Sequence, residues 1–203
     1  MTVLIVDYGM GNLSSVSRAI AECGASALVS DDPASLDAAS WIILPGVGAF
    51  ADGIRNLQAR GWDRAIRKAV RDDGIPLLGI CLGMQLLASR GLEGGDTPGL
   101  DLISGEVRLL EPKGGLRVPH VGWNDVHVVG ESAIFRGLNS GTDFYFVHSY
   151  QFVPADRNHI AGIADYGGDI VAAVAAERIW GVQFHPEKSS RAGFHLLQNF
   201  LSI

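Results

Sequence analysis

Disulfide chemistry has little to work with in this chain: its 203 residues include two cysteines, Cys23 and Cys81. One pair could formally bridge, but the multi-bridge framework that staples small secreted domains is excluded, and both residues read as free thiols. Basic residues are also in deficit, with 16 Lys and Arg against 22 Asp and Glu and a formal net charge of −6. Phosphate neutralisation needs clustered cations, so no nucleic-acid partner is expected. No apolar run approaches the roughly 20 residues that cross a bilayer. The run Val3–Val6, closed by Asp7, is too short and wrongly flanked for a secretory signal. These absences lead to the expectation of a cytoplasmic protein without a membrane partner. Low-complexity tracts, linkers and internal repeats are lacking as well, which leaves one domain over residues 1–203, long enough to bury a large core.

What is present is hydrophobic residues, 47% of the chain, and 26 glycines. The apolar runs Val3–Val6, Ala27–Val29, Trp41–Leu44 and the one ending at Ile80 read as buried strands. Helical patterns at about Leu13–Cys23 and Asp63–Asp72 alternate with them. The expected fold class is α/β, with a mostly parallel central sheet flanked by helices on both faces. From Gly105 the pattern turns to shorter β runs: Glu106–Leu110, Asp125–Val129, Asp143–Ser149, Ile160–Asp165, Val171–Ala176 and Ile179–Phe184. Mixed or antiparallel strands are expected to extend the sheet through this β-rich second half. Phe194, Leu196, Leu197 and Phe200 then give a closing helix over Ser190–Phe200.

Cys81 sits at a predicted strand-to-helix corner. Leu77, Leu78 and Ile80 supply the strand, Gly79 and Gly83 permit a tight turn, and Met84 begins a helical pattern. A thiol at that corner gains from the helix dipole and nearby backbone N–H groups, which favour a reactive thiolate. At the end of a later apolar run come His185-Pro186-Glu187. Here an imidazole base is followed two residues on by a carboxylate that can hold one ring nitrogen while the other faces Cys81. The turn Pro45-Gly46-Val47-Gly48 ends another predicted strand. Its backbone N–H groups, with that of Leu82, can face a developing oxyanion. In parallel sheets such strand ends are where sites form.

The runs Gly79-Ile80-Cys81-Leu82-Gly83-Met84-Gln85 and Phe184-His185-Pro186-Glu187 resemble those of the class I, triad-type glutamine amidotransferases. This resemblance implies a flavodoxin-like fold, L-glutamine as substrate and a γ-glutamyl thioester on Cys81, with His185 and Glu187 completing the triad. No cofactor or metal is implied. Four further runs resemble one branch of that family. They are Asp7–Leu13, Pro45–Phe50, Pro119–Asn124 and Phe146–Tyr150. That branch passes ammonia to a (β/α)₈ cyclase subunit in histidine biosynthesis, so the resemblance implies a heterodimer. It also implies that Gln85, Gly48, His148, Ser149 and Tyr150 hold glutamine or shape its pocket. Tyr8, Asn12, Trp123, Asn124 and Lys188 are implied nearer the cyclase interface and gate.

Competing readings of single residues are plainer. Cys23 reads as a structural thiol on its helix. His148 reads either as a packed strand-end residue or as part of a pocket. His120, His127, His159 and His195 read as surface or structural, since none has metal-ligand spacing. Gly9-Met10-Gly11-Asn12-Leu13-Ser14 mimics a dinucleotide fingerprint but lacks its third glycine. Trp41, Trp62 and Trp180 read as packing residues, whereas Gly122 and Asn124 suggest a loop around Trp123. Two other functions remain open to the residues alone. One is a cysteine hydrolase that needs no partner, the other a nucleotide-binding module in which Cys81 is dispensable.

Overall fold

The computed structural model describes residues 2–203. Its first part comprises β1 (Thr2–Val6), α1 (Leu13–Glu22), β2 (Ser26–Ser30), β3 (Trp41–Gly46), α2 (Phe50–Ala59), α3 (Trp62–Arg71), β4 (Leu77–Cys81) and α4 (Leu82–Leu86). The second part runs through β5 (Arg90–Gly91), β6 (Thr97–Pro98), β7 (Gly105–Leu109), β8 (His120–Val128), β9 (Thr142–His148) and β10 (Tyr150–Pro154). It ends with β11 (Ile160–Asp165), β12 (Asp169–Ala176), β13 (Ile179–Val182) and α5 (Ser190–Phe200). Nine strands form one sheet in the order β2-β1-β3-β4-β13-β12-β11-β8-β9, and β10-β7-β5-β6 form a second. The large sheet is parallel from β2 to β13 and antiparallel from β13 to β9.

Side chains on a strand alternate between faces, and here both faces are apolar. Val3 and Ile5 pack with Val16 and Ile20 of α1 and with Leu196, Leu197 and Phe200 of α5. Leu4 and Val6 pack on the other face with Ile54 and Leu57 of α2 and with Trp62 and Ile66 of α3. Covered on both sides, β1, β3 and β4 have no polar face, which is why they read as unbroken hydrophobic runs, whereas β2 at the edge is partly exposed.

Two elements depart from the sequence expectations. Strand β8 begins at His120, and His120 through Val126 pair residue by residue with β9. Trp123 and Asn124 therefore stand on a strand and not in a loop, because the ladder to β9 accommodates Gly122 at φ +136°. Strand β7 is the other: the run Glu106–Leu110, expected to extend the central sheet, pairs instead with β10 and β5 in the second sheet. Helix α2 is capped from a distance. It starts without a side-chain cap from Ala49; instead its first N–H, on Phe50, is bonded by the Glu93 carboxylate at 2.8 Å, a partner remote in sequence.

Candidate active site

The ends of three adjacent strands make the site. Gly46 at the end of β3 lies opposite Cys81 at the end of β4, and β13, on the other side of β4, leads directly to His185. Cys81 turns the chain from β4 into α4 with φ +55° and ψ −111°. A residue with a Cβ is strained in that conformation by about 1–3 kcal/mol, so packing must hold it. Glycines permit that packing. A Cβ on Gly83 would run into the carbonyl oxygen of Leu44, and one on Gly46 would strike the Tyr8 hydroxyl and Leu82.

His185 and Glu187 are close partners: Nδ1 of the ring lies 2.8 Å from Oε1 of the carboxylate, with side-chain exposures of 3% and 2%. That contact leaves Nε2 as the nitrogen free to exchange a proton, and it is buried without a hydrogen-bond partner. Burial disfavours the imidazolium, but Cys81 and Glu187 outweigh it through hydrogen bonding and charge and raise His185 to about 9. The thiol thus acts on the ring from nearby while falling short of a formed hydrogen bond. Cys81 Sγ itself approaches the Val147 carbonyl at 3.9 Å and the Gln183 amide at 3.7 Å.

A cavity of about 380 Å³ opens over these groups, lined among others by Val47, Gly48, Cys81, Leu82, Gln85 and Glu93. His148, Ser149, Tyr150 and His185 line its remaining wall. Glutamine-sized molecules fit such a volume. Gln85 and His148 line the cavity but point their polar atoms into the protein: Gln85 Nε2 donates to Tyr150 O at 3.0 Å, and His148 Nδ1 donates to the same carbonyl at 2.8 Å. Burial lowers both His148 and its neighbour His120 to about 4. Glu93 was not singled out in the sequence. It is the one carboxylate on the cavity wall, brought there by the turn between β5 and β6.

The residues implied at an interface do not all gather. Trp123 and Val121 are exposed at 53% and 55%, and they stand with Tyr145 and Val147 on one outward face of β8 and β9. The Trp123 and Tyr145 rings meet at 6.0 Å, and Lys188 Nζ lies 5.9 Å from the Tyr145 centroid. Val147 carries this apolar strip to the cavity mouth. Asn124 turns to the opposite face of β8, its amide on Asp165 O and on the buried His120. Asn12 lies exposed as the N-cap of α1, accepting from Ser15 N. Tyr8 is a correction. It is wholly buried against Gly46, its hydroxyl lacks a partner, and burial followed by the nearby Cys81 charge pushes its ionisation up. No surface is left on it to meet another chain.

The family model for "Glutamine amidotransferase class-I" matches residues 4–203. The chain belongs to the class-I glutamine amidotransferase family. Among its relatives in that family is the imidazole glycerol phosphate synthase subunit HisH of Moorella thermoacetica, 52% identical over 98% of this chain and 93% of that protein. The protein of the same name from Dehalococcoides mccartyi is 46% identical over 99% of this chain and 97% of its own length. A crystal structure titled glutamine amidotransferase superposes with a TM-score of 0.77 at 20% identity, covering 98% of this chain and 97% of the other. PurLQS from Thermotoga maritima gives 0.75 at 22%, covering 99% and 97%. At those identities the structures speak for the amidotransferase fold alone.

Proposed function

We propose that Cys81, His185 and Glu187 carry out glutamine hydrolysis as the chemistry of an imidazole glycerol phosphate synthase glutaminase subunit. The Cys81 thiolate attacks the side-chain carbonyl carbon of L-glutamine. Charge collects on the amide oxygen, which the N–H groups of Leu82 and of the Gly46-Val47-Gly48 turn can meet. His185, kept as imidazolium by Glu187 and the thiolate, gives its Nε2 proton to the leaving nitrogen, and ammonia departs from a γ-glutamyl thioester. Water enters, His185 takes its proton, and hydroxide attack on the thioester expels the thiolate, freeing glutamate and regenerating the thiolate–imidazolium pair. Glu93 provides a carboxylate for the substrate α-ammonium, while the wall at Gly48, Gln85, His148, Ser149 and Tyr150 shapes the pocket.

Ammonia is destined for the cyclase subunit, which forms imidazole glycerol phosphate and aminoimidazole carboxamide ribotide. The apolar strip Val121, Trp123, Tyr145 and Val147, with Lys188 at its edge, is our candidate docking surface, since it reaches the cavity mouth, and Asn124 supports it from the opposite face of β8. Such work belongs in the cytoplasm, and among the described residues no helix is long and apolar enough to cross a membrane.

The observation that carries this reading is the buried His185–Glu187 pair with Nε2 left free beside Cys81. The experiment is glutamate release by the full chain, alone and with the cyclase and its ribotide substrate. Activity should be low alone, rise in the complex, and fall by roughly 10⁴-fold or more in Cys81→Ala, as loss of a nucleophile does. Equal turnover by wild type and Cys81→Ala would sink the assignment.

A further inference from the structure

Within the apolar stretch Trp180–Phe184 stands one amide, Gln183, and it is completely buried. Burying an amide costs free energy unless its hydrogen bonds are made, and those of Gln183 connect two elements of the site. Its Oε1 accepts from Gln85 Nε2 at 2.9 Å, and its Nε2 lies 3.7 Å from Cys81 Sγ. The orientation of each amide follows from a fixed point. Tyr150 O can only accept, so the Gln85 atom 3.0 Å from it is nitrogen. That nitrogen also faces Gln183, whose near atom must then be oxygen, and the NH₂ group is left for sulfur.

A second arm locks the same carbonyl. His148 Nδ1 donates to Tyr150 O, so His148 Nε2 accepts from His120 Nδ1 at 3.0 Å, and His120 Nε2 accepts from Asn124 Nδ2 at 3.3 Å. Both imidazoles are neutral in this arrangement. The Tyr150 carbonyl is thereby held by two donors, and the amide chain leading to Cys81 cannot flip without leaving one of them unpaired.

Resting on the nucleophile reading of Cys81, we propose that Gln183 is a further catalytic residue for glutamine hydrolysis, donating its amide N–H to Sγ and stabilising the thiolate from inside the core. Sulfur has two polar neighbours there. The Val147 carbonyl, 3.9 Å away, can accept only from the protonated thiol, whereas the Gln183 N–H favours the thiolate. The other ionisable groups around the thiol are His185 with Glu187 behind it, Tyr8 beneath, and His148 and Glu93 on the cavity wall. Gln183 is not on that wall, so it touches the nucleophile and not the substrate.

The test uses Gln183→Met, close in size but without a donor, and Gln183→Glu, which still accepts from Gln85 while turning an oxygen towards sulfur. Alkylation of Cys81 by iodoacetamide at neutral pH is followed by peptide mass spectrometry on the full chain. Glutamine kinetics are measured in the cyclase complex. Both variants should alkylate and turn over about tenfold more slowly, the scale of one hydrogen bond to a charged group, with KM within about twofold of wild type. Wild-type alkylation rates would overturn the proposal. So would rescue by Gln183→Glu, which would mean that Gln183 serves only to anchor Gln85. Gln183→Glu keeps the question answerable if the Met variant does not fold. Activity persisting in Cys81→Ala would instead refute the nucleophile reading, whatever Gln183 does.

Discussion

The ends of β3, β4 and β13 and the pair β8–β9 border one cavity, but they are built in opposite ways. The first group lies in the parallel part of the sheet, sealed under helices on both faces, and its residues Leu44, Ile80 and Val182 have almost no exposure. The second lies at the edge of the sheet and turns Val121, Trp123 and Val147 outward. The strained cysteine, which must be held to a fraction of an ångström, sits where packing leaves no slack, at 7% exposure, and only Val47 and Gly48 of the neighbouring turn face outward on this side. The surface proposed to meet another chain sits where one face is free. The difference teaches that a cavity can be shared between a rigid chemical wall and an adaptable contact wall, and the two should fail differently.

Gly83→Ala should break the rigid wall and have the largest effect. Its new methyl group would collide with the Leu44 carbonyl, a backbone atom that cannot move without shifting β3. Overpacking of this kind costs about 1–3 kcal/mol. The same displacement moves Cys81 relative to the Gly46–Gly48 turn, and misaligned oxyanion donors lose on the order of 100-fold or more in kcat. Thermal unfolding and glutamate release, both in the complex, check the two halves of this expectation. A variant with lowered stability and unchanged kcat would show that the elbow tolerates movement.

The same division explains what could be read from the sequence. Unbroken apolar runs mark strands covered on both faces, so β1, β3 and β4 were legible, and Gly79 and Gly83 around Cys81 marked the corner between β4 and α4. At the edge, pairing between distant strands decides the structure. Gly122 and Asn124 suggest a loop locally, and only the ladder to β9 makes them strand. Tyr8 lies in a motif that points to an interface, yet the chain path puts it under Gly46. Glu93 gave no local signal, because its meaning comes from reaching the first N–H of α2 and the cavity wall from another loop. Gln183 did leave a trace, an amide within an apolar run just past β13, and a buried amide requires partners.

Trp123→Ala should damage the contact wall and leave the chemical wall intact. The indole is half exposed and packs edge-on against Tyr145, over whose ring the cation of Lys188 also lies. Truncating an aromatic anchor at the centre of an interface costs about 2 kcal/mol or more, near 30-fold in Kd. Stability of the free chain should change less, since about half of the side chain is already in water. Titration calorimetry with the cyclase subunit gives the affinity. Unaltered affinity would place docking elsewhere on the molecule.

The smallest effect tests the seam where the two walls join, the His120–His148 pair. Burial holds both rings neutral, with His120 stacked between Phe146 and Tyr166 at 4.8 and 4.0 Å, and both titrate at about 4. Unfolded histidine titrates near 6.5. Because the folded values lie lower, the unfolded chain binds protons first as pH falls. Their contribution to stability is complete above about 6.5 and is lost as pH falls from there through about 4. His185 behaves in reverse. Raised to about 9, it contributes fully below about 6.5 and loses that contribution as pH rises through 9. Between pH 6.5 and 4 the neutral pair therefore sets the histidine part of the slope. His120→Gln, which keeps hydrogen-bonding capacity but cannot titrate, should reduce the fall in Tm over that interval by several degrees, at about 2–4 °C per kcal/mol for a chain of this size. Parallel melting curves for the variant and wild type would mean that the pair is already protonated in the folded state, and with that the donor directions that lead through Tyr150 to Cys81 would have to be redrawn.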